Sequence, residues 1–214
     1  MATLSGLTEE KFLKLRLAVS SRIGSRRFSH TLGVEASIIQ LGEMYLPGDV
    51  PRLRIAALLH DLTKEWSEER QLSYLYDAGV EILPEEEASP RILHAKTGAL
   101  VAKREFSAYV DPTILRAIEL HTTGGSGMTV FDELLYLADY IEPTRTYEEC
   151  VLLRNGFFEG YKKAEDKLFH LHATVLSALR MTVREISDRG ASVFPGTLCA
   201  IAYLEELLSK KDKN

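Results

Sequence analysis

The chain has 214 residues, 45% of them hydrophobic and 27% charged, the balance of an ordinary globular protein with enough length to bury a full core. Its formal charge of −5 gives no general attraction to nucleic acid, so an anionic ligand must be met by cations placed locally. No apolar run reaches the roughly 18 to 20 residues of a spanning helix. Met1 to Gly6 lack the basic and apolar regions of a secretory signal, so the expected address is cytoplasmic, with neither membrane nor nucleic acid as partner. Cys150 and Cys199 are far apart and form no Cys-x-x-Cys unit, which argues for plain packing roles rather than a zinc ribbon or a disulfide framework.

Thr8-Glu9-Glu10 predicts a capped helix start with an acidic first turn, and Phe12, Leu15, Val19 and Ile23 set an apolar stripe along the helix. A second helix runs from about Arg26 to Leu46, before Pro47-Gly48, with His30 near its start. Pro51 precedes a third, Arg52 to Leu59, apolar almost all round after its first turn, as a helix through the middle of a domain would be. It delivers His60-Asp61 from the core. If it continues one more turn, Lys64 emerges on the same side as His60; otherwise Lys64 is a solvated surface lysine.

Ser67 to Tyr76 predicts a short amphipathic helix stopped by Gly79, and Glu85-Glu86-Glu87 after Pro84 reads as a solvated loop. Ser89-Pro90 offers a cap and a first-turn proline for a helix carrying His94, in which Ala95, Gly98, Ala99 and Ala102 permit close backbone approach. Asp111-Pro112 repeats the device and leads through Ile114, Leu115, Ile118 and Leu120 to His121-Thr122-Thr123-Gly124-Gly125, whose hydroxyls and backbone donors could meet a phosphate. Thr129 caps a run from Val130 to Glu142 that Pro143 ends. Asp139, deep in that run, needs a partner, either a metal or a buried hydrogen bond. Beyond Arg145 one long helix is expected from about Glu159 to Asp188, stopped by Gly190, then a last one from Leu198 to Leu208 and a Lys-rich tail expected to fray. His170 and His172, two apart on a helix, point in different directions and are not expected to be ligands. With no strand-like alternation, the fold class is all-α, a single domain over residues 1–214.

An adjacent histidine and aspartate can bind one divalent ion, or the carboxylate can bridge two; an apolar helix ending in His-Asp can also be ordinary capping. The pair gains weight because His30, His60, His94, His121 and Asp139 recur in or at the ends of separate helical segments. Such nitrogen and oxygen donors suit harder transition ions, whereas magnesium favours carboxylates and structural zinc favours cysteine. Spacing alone leaves the site a conjecture, since only tertiary folding could gather these residues.

The ordered pattern H…HD…D resembles the HD-domain metal-dependent phosphohydrolases, and more closely their YqeK-like bacterial branch of symmetrical bis(5′-nucleosyl)-tetraphosphatases. It is carried by Arg27-Phe28-Ser29-His30-Thr31-Leu32-Gly33-Val34, His60-Asp61-Leu62-Thr63-Lys64, Leu93-His94-Ala95-Lys96-Thr97-Gly98-Ala99, His121-Thr122-Thr123-Gly124 and Leu137 through Arg145. The resemblance implies an HD-domain helical bundle with motifs within 27–145 and C-terminal helices 146–209 completing it. Two cations, iron first and manganese, cobalt or zinc as alternatives, would be held by His30, His60, Asp61 and Asp139, with His94 and His121 for the second ion. Asp61 and Lys64 would be catalytic, while Arg27, Lys64, Thr122, Thr123 and Arg145 would bind substrate. A water acidified between the ions would cleave diadenosine tetraphosphate into two ADP.

Two departures bear on nucleotide preference. Gly125 stands where the family usually has a basic residue, which leaves Lys64, Arg27 and Arg145 as phosphate partners. The segment Thr146 to Cys150 is unlike the family's Phe-Pro-Gly continuation. Rival readings are another HD activity, such as a nucleotidase or a deoxynucleotide triphosphohydrolase, and a non-catalytic nucleotide or metal sensor. A homodimer is compatible with all of them.

Overall fold

A computed structural model describes residues 8–211, so the readings of Met1 to Gly6 and of the last three tail residues lie outside it. Eleven α-helices appear among the described residues, with no strand. They are α1 (Glu9–Ser20), α2 (Ser25–Tyr45), α3 (Val50–Leu59), α4 (Glu68–Asp77), α5 (Pro84–Glu87), α6 (Leu93–Glu105), α7 (Pro112–Leu120), α8 (Val130–Ile141), α9 (Glu148–Lys163), α10 (Lys167–Asp188) and α11 (Pro195–Lys211). None is long and apolar enough to cross a membrane.

Helix α3 lies at the centre, packed against α1, α2, α6, α7 and α8. Every residue from Leu53 to Leu59 is buried, and each fully buried leucine among them adds on the order of 2 kcal/mol relative to exposure. Arg54 is tolerated in this run because its guanidinium donates to Glu9 and Glu35, the latter also receiving two hydrogen bonds from Arg16. The expected caps form at Thr8, Asp111 and Thr129, where each side-chain oxygen accepts a backbone N–H of the first turn.

The structure differs from the sequence reading in five places. Helix α3 stops at Leu59, and residues 60–65 form tight turns instead of another helical turn. The acidic run is a one-turn helix rather than a solvated loop, because Glu86 is buried and accepts from Lys96 at 2.7 Å. Ser89 does not cap, and a 3-10 turn, Pro90–Ile92, precedes α6. The long C-terminal helix is two helices, interrupted at residues 164–166, where Asp166 caps α10 by accepting from the Phe169 N–H. Cys150 is buried as expected, whereas Cys199 is exposed.

Two glycines admit close approaches that bear on the site. A side chain at Gly98 would press on the His60 carbonyl, so α6 can lie against the end of α3. Gly124 has φ of 64°, and a Cβ there would meet Ala200 and Leu179, so the loop after His121 tucks under α10 and α11.

Candidate metal centre

Five segments deliver the six side chains. His30 comes from the first turns of α2, His60 and Asp61 from just past the end of α3, and His94 from the start of α6. His121 caps the end of α7, and Asp139 sits in the last turn of α8. The folded chain brings all six together around Asp61. Its Oδ2 is 3.3 Å from His60 Nε2 and 3.7 Å from His30 Nε2, while its Oδ1 is 3.4 Å from His94 Nε2 and 3.6 Å from His121 Nε2. Asp139 closes one end, 2.9 Å from His30 Nε2. At the other end His94 Nε2 and His121 Nε2 are 3.2 Å apart.

Local structure explains why every imidazole presents Nε2. The last carbonyls of a helix have no intrahelical partner. His60 Nδ1 donates to Ala57 O at 2.6 Å and His121 Nδ1 to Ile118 O at 2.6 Å, each ring folding back over its own helix end. His94 Nδ1 donates likewise to Arg91 O in the 3-10 turn, at 2.8 Å. His30 differs, because its Nδ1 donates to the carboxylate of Glu142 at 3.1 Å. Such bonds fix the tautomer that leaves the Nε2 lone pair facing inward.

The cluster as it stands is unsatisfied. His30 Nε2, His60 Nε2 and Asp61 Oδ1 are buried without a hydrogen-bond partner, a costly state for polar atoms unless something completes them. His30, His60 and Asp139 can converge on one cation, and His60, Asp61 and His121 on another. The donor set of imidazoles and carboxylates, with no cysteine, fits divalent transition ions.

Charge around the cluster follows from burial set against neighbours. Burial raises the Asp61 carboxyl, but the surrounding histidines outweigh it and hold Asp61 well below the usual carboxylate range. Asp139 is likewise held low against burial, by Arg145 and His30. Burial lowers the His30 imidazole, yet Asp139 and Glu142 raise it to about 9 when no cation is bound. His94 and His121 are lowered, chiefly by burial, which favours the neutral form a ligand needs.

The other expected residues stand around this core. Arg27 Nη1 pairs with Asp61 at 2.8 Å and Arg145 Nη2 with Asp139 at 2.7 Å. Lys64, carried by the turn rather than a helix, places Nζ 3.0 Å from His94 Nε2, and burial lowers its ammonium. Thr122 Oγ1 is 3.0 Å from His94 Nε2 and 3.1 Å from His121 Nε2. Thr123 is buried and donates its hydroxyl to Gly124 O, so it stands one step back. His170 and His172 are remote from the cluster, the one donating to Phe157 O and the other to Glu133.

Glu142 is the participant sequence reasoning missed. It is fully buried and accepts from Thr144 N and Thr144 Oγ1 as well as His30, and Gly33 makes room for it, since a Cβ there would overlap its carboxylate. Its only sequence signal was a carboxylate between an apolar helix and Pro143.

Three cavities open around the cluster. One of about 480 Å³ meets it at His30 and Arg145 and is also lined by Arg26, Arg27 and Tyr147. A second, about 490 Å³, comes to Lys64 and Thr122 beside it, with Ile92, Ile186 and Phe194 among its walls, and a third, about 560 Å³, shares Lys64 and Arg91 with the second and reaches His94.

Comparison with known proteins agrees with this geometry. Residues 27–144 match the HD domain family. The symmetrical bis(5′-nucleosyl)-tetraphosphatase of Bacillus subtilis (strain 168) is 30% identical over 87% of this chain and 93% of its own. The protein so named from Staphylococcus aureus (strain NCTC 8325 / PS 47) is 33% identical over 89% and 92%. Among solved structures, a predicted HD superfamily hydrolase involved in NAD metabolism from Clostridium acetobutylicum superposes with a TM-score of 0.80, at 29% identity, covering 91% of this chain and 97% of that one. All six converging side chains fall inside the matched segment, and the chain belongs to the HD domain family, on the same branch as these relatives.

Proposed function

We propose that the protein hydrolyses diadenosine tetraphosphate symmetrically, releasing two ADP, with iron as its metal. One observation carries the reading: four imidazole Nε2 atoms converge on Asp61, with Asp139 against His30 and buried donor atoms left unpaired, in a chain whose near-full-length relatives are symmetrical bis(5′-nucleosyl)-tetraphosphatases. His30, His60 and Asp139 would hold one cation and His94 and His121 the other, with Asp61 available to both. Bound there, divalent cations supply Lewis acidity toward phosphate oxygens and acidify a water.

The chain's own residues then handle the polyphosphate. Water attacks one of the two inner phosphorus atoms, and ADP departs from the opposite side as the other half becomes the second ADP. Lys64 and Thr122, beside His94, orient the phosphates at one end. At the other, Arg27 and Arg145 neutralise charge there, each already within reach of a site carboxylate. Thr123 supports the loop that carries Thr122. Helices α9 to α11 belong to the same domain, since α9 and α10 pack on α8 and α11 on α10.

The test is incubation of the iron-loaded protein with diadenosine tetraphosphate and chromatography of the products. ADP as sole product is expected; AMP with ATP would overturn the symmetrical assignment.

A further inference from the structure

The substrate of the proposed reaction has two identical nucleosides, yet the cavities on opposite sides of the cluster, at His30 and at Lys64, differ in chemistry. The cavity at Lys64 and Thr122 has cations of its own, Arg91 and Arg189, but also apolar walls, Ile92, Ile186 and Phe194, suited to burying a base. The cavity at His30 has no aliphatic wall: Arg26, Arg27 and Arg145 line it with Glu65, Glu142 and two threonines, and Tyr147 is its one large apolar ring. Each is large enough for a nucleotide.

Resting on the proposed reaction, we infer that the arginine cavity seats the second nucleotide of the substrate, its phosphates against Arg27, Arg145 and Arg26 and its base stacked on Tyr147. The placement of these groups supports this. Arg27 and Arg145 touch the cluster through Asp61 and Asp139, whereas Arg26 is exposed and has no ion pair among the described residues. Two carboxylates also line this cavity and both are engaged, Glu65 accepting from the Gly24 N–H at 2.7 Å and Glu142 from His30 and Thr144. Tyr147 precedes the first turn of α9 and is 70% exposed, an unusual exposure for a large ring beside a cationic cavity. A flat ring above fixed cations is what a nucleobase and its phosphates require, because stacking accepts any base while arginines bind phosphate oxygens. Tyr147 is thus a specificity residue for the outer half of a symmetrical substrate, and the protein reads two equal ends unequally.

The experiment compares a two-base with a one-base ligand. In Tyr147→Ala, KM for diadenosine tetraphosphate should rise about tenfold, with the effect on KM rather than kcat. The inhibition constant of adenosine 5′-tetraphosphate, whose single base takes the apolar cavity, should move by less than about twofold. Tyr147→Phe keeps the ring and should restore KM. An unchanged KM in Tyr147→Ala, or an equal rise in both constants, overturns the inference while leaving the proposed reaction standing. A wild-type protein that releases no ADP from diadenosine tetraphosphate overturns that reaction, and the inference with it.

Discussion

Helix α8 carries two carboxylates that each meet a histidine of another helix, and the two meetings are built in opposite ways. Glu133 is wholly buried and receives His172 Nδ1 on both oxygens, at 2.8 and 2.9 Å, tying α8 to α10. Burial raises its carboxyl against the pull of His172, and neither residue leaves a buried polar atom without a partner. Asp139, farther along the helix, meets His30 inside a cluster where three buried donor atoms have none. A closed pair holds two helices together and has nothing left to offer. The open cluster has lone pairs to spare, and this separates a ligand site from a structural histidine more sharply than burial or residue type.

The largest expected effect comes from breaking the open cluster. Asp61→Ala removes the carboxylate that all four imidazoles face, and turnover should fall at least about 10³-fold. Bound metal should fall in parallel while circular dichroism still shows a helical protein. Retained metal, measured by elemental analysis, would remove Asp61 from the ligand set.

The closed pair should respond in stability instead. His172→Ala strands Glu133 in the core, which should cost about 3 kcal/mol in urea unfolding, with turnover per folded molecule unaltered. A loss of activity larger than the loss of folded protein would mean that the pair also serves the site.

Titration sharpens the same contrast. In the metal-free protein His30 is raised to about 9, so its stabilising charge is fully present below about pH 6.5, the ordinary histidine value, and is lost as pH rises through 9. The wild type should therefore lose up to about 3 kcal/mol relative to His30→Gln between those limits. Loading with metal should abolish the difference, because a coordinated imidazole holds no proton at Nε2. Urea midpoints of both proteins at pH 6 and 9 decide the matter.

That these six side chains converge was legible, but not from spacing. His30, His60, Asp61, His94, His121 and Asp139 stand on or just past the ends of five helices, and it was the ordered H…HD…D resemblance that joined them before the fold did. Helix starts were readable where the signal is local, as at Thr8, Asp111 and Thr129. Reading failed where a tertiary contact decides: Glu86 leaves solvent because Lys96 on α6 reaches it, and Lys64 reaches His94 from a turn because α3 has already ended. The break between α9 and α10 was local, at Asp166, yet apolar steps from Leu168 to Ile186 masked where their helix began.

The smallest effect concerns Glu142, which distinguishes His30 from the other three imidazoles. Those donate Nδ1 to carbonyls, whereas His30 donates to a carboxylate, which would make it the more strongly electron-donating ligand of a bound cation. Glu142→Gln keeps the size but not the pattern. Oε1 accepts from His30 and Thr144 Oγ1 while Oε2 accepts from Thr144 N. An amide therefore turns its NH₂ toward a donor whichever way it is set, and either His30 or the Thr144 backbone loses its acceptor. Metal affinity by titration should fall about tenfold, with turnover recovering at saturating metal. Gly33→Ala, which pushes on the same carboxylate from α2, should weaken metal binding in the same direction. If both variants bind metal as the wild type does, the Glu142 contact merely fastens α8 to α2, and His30 is held no differently from its neighbours.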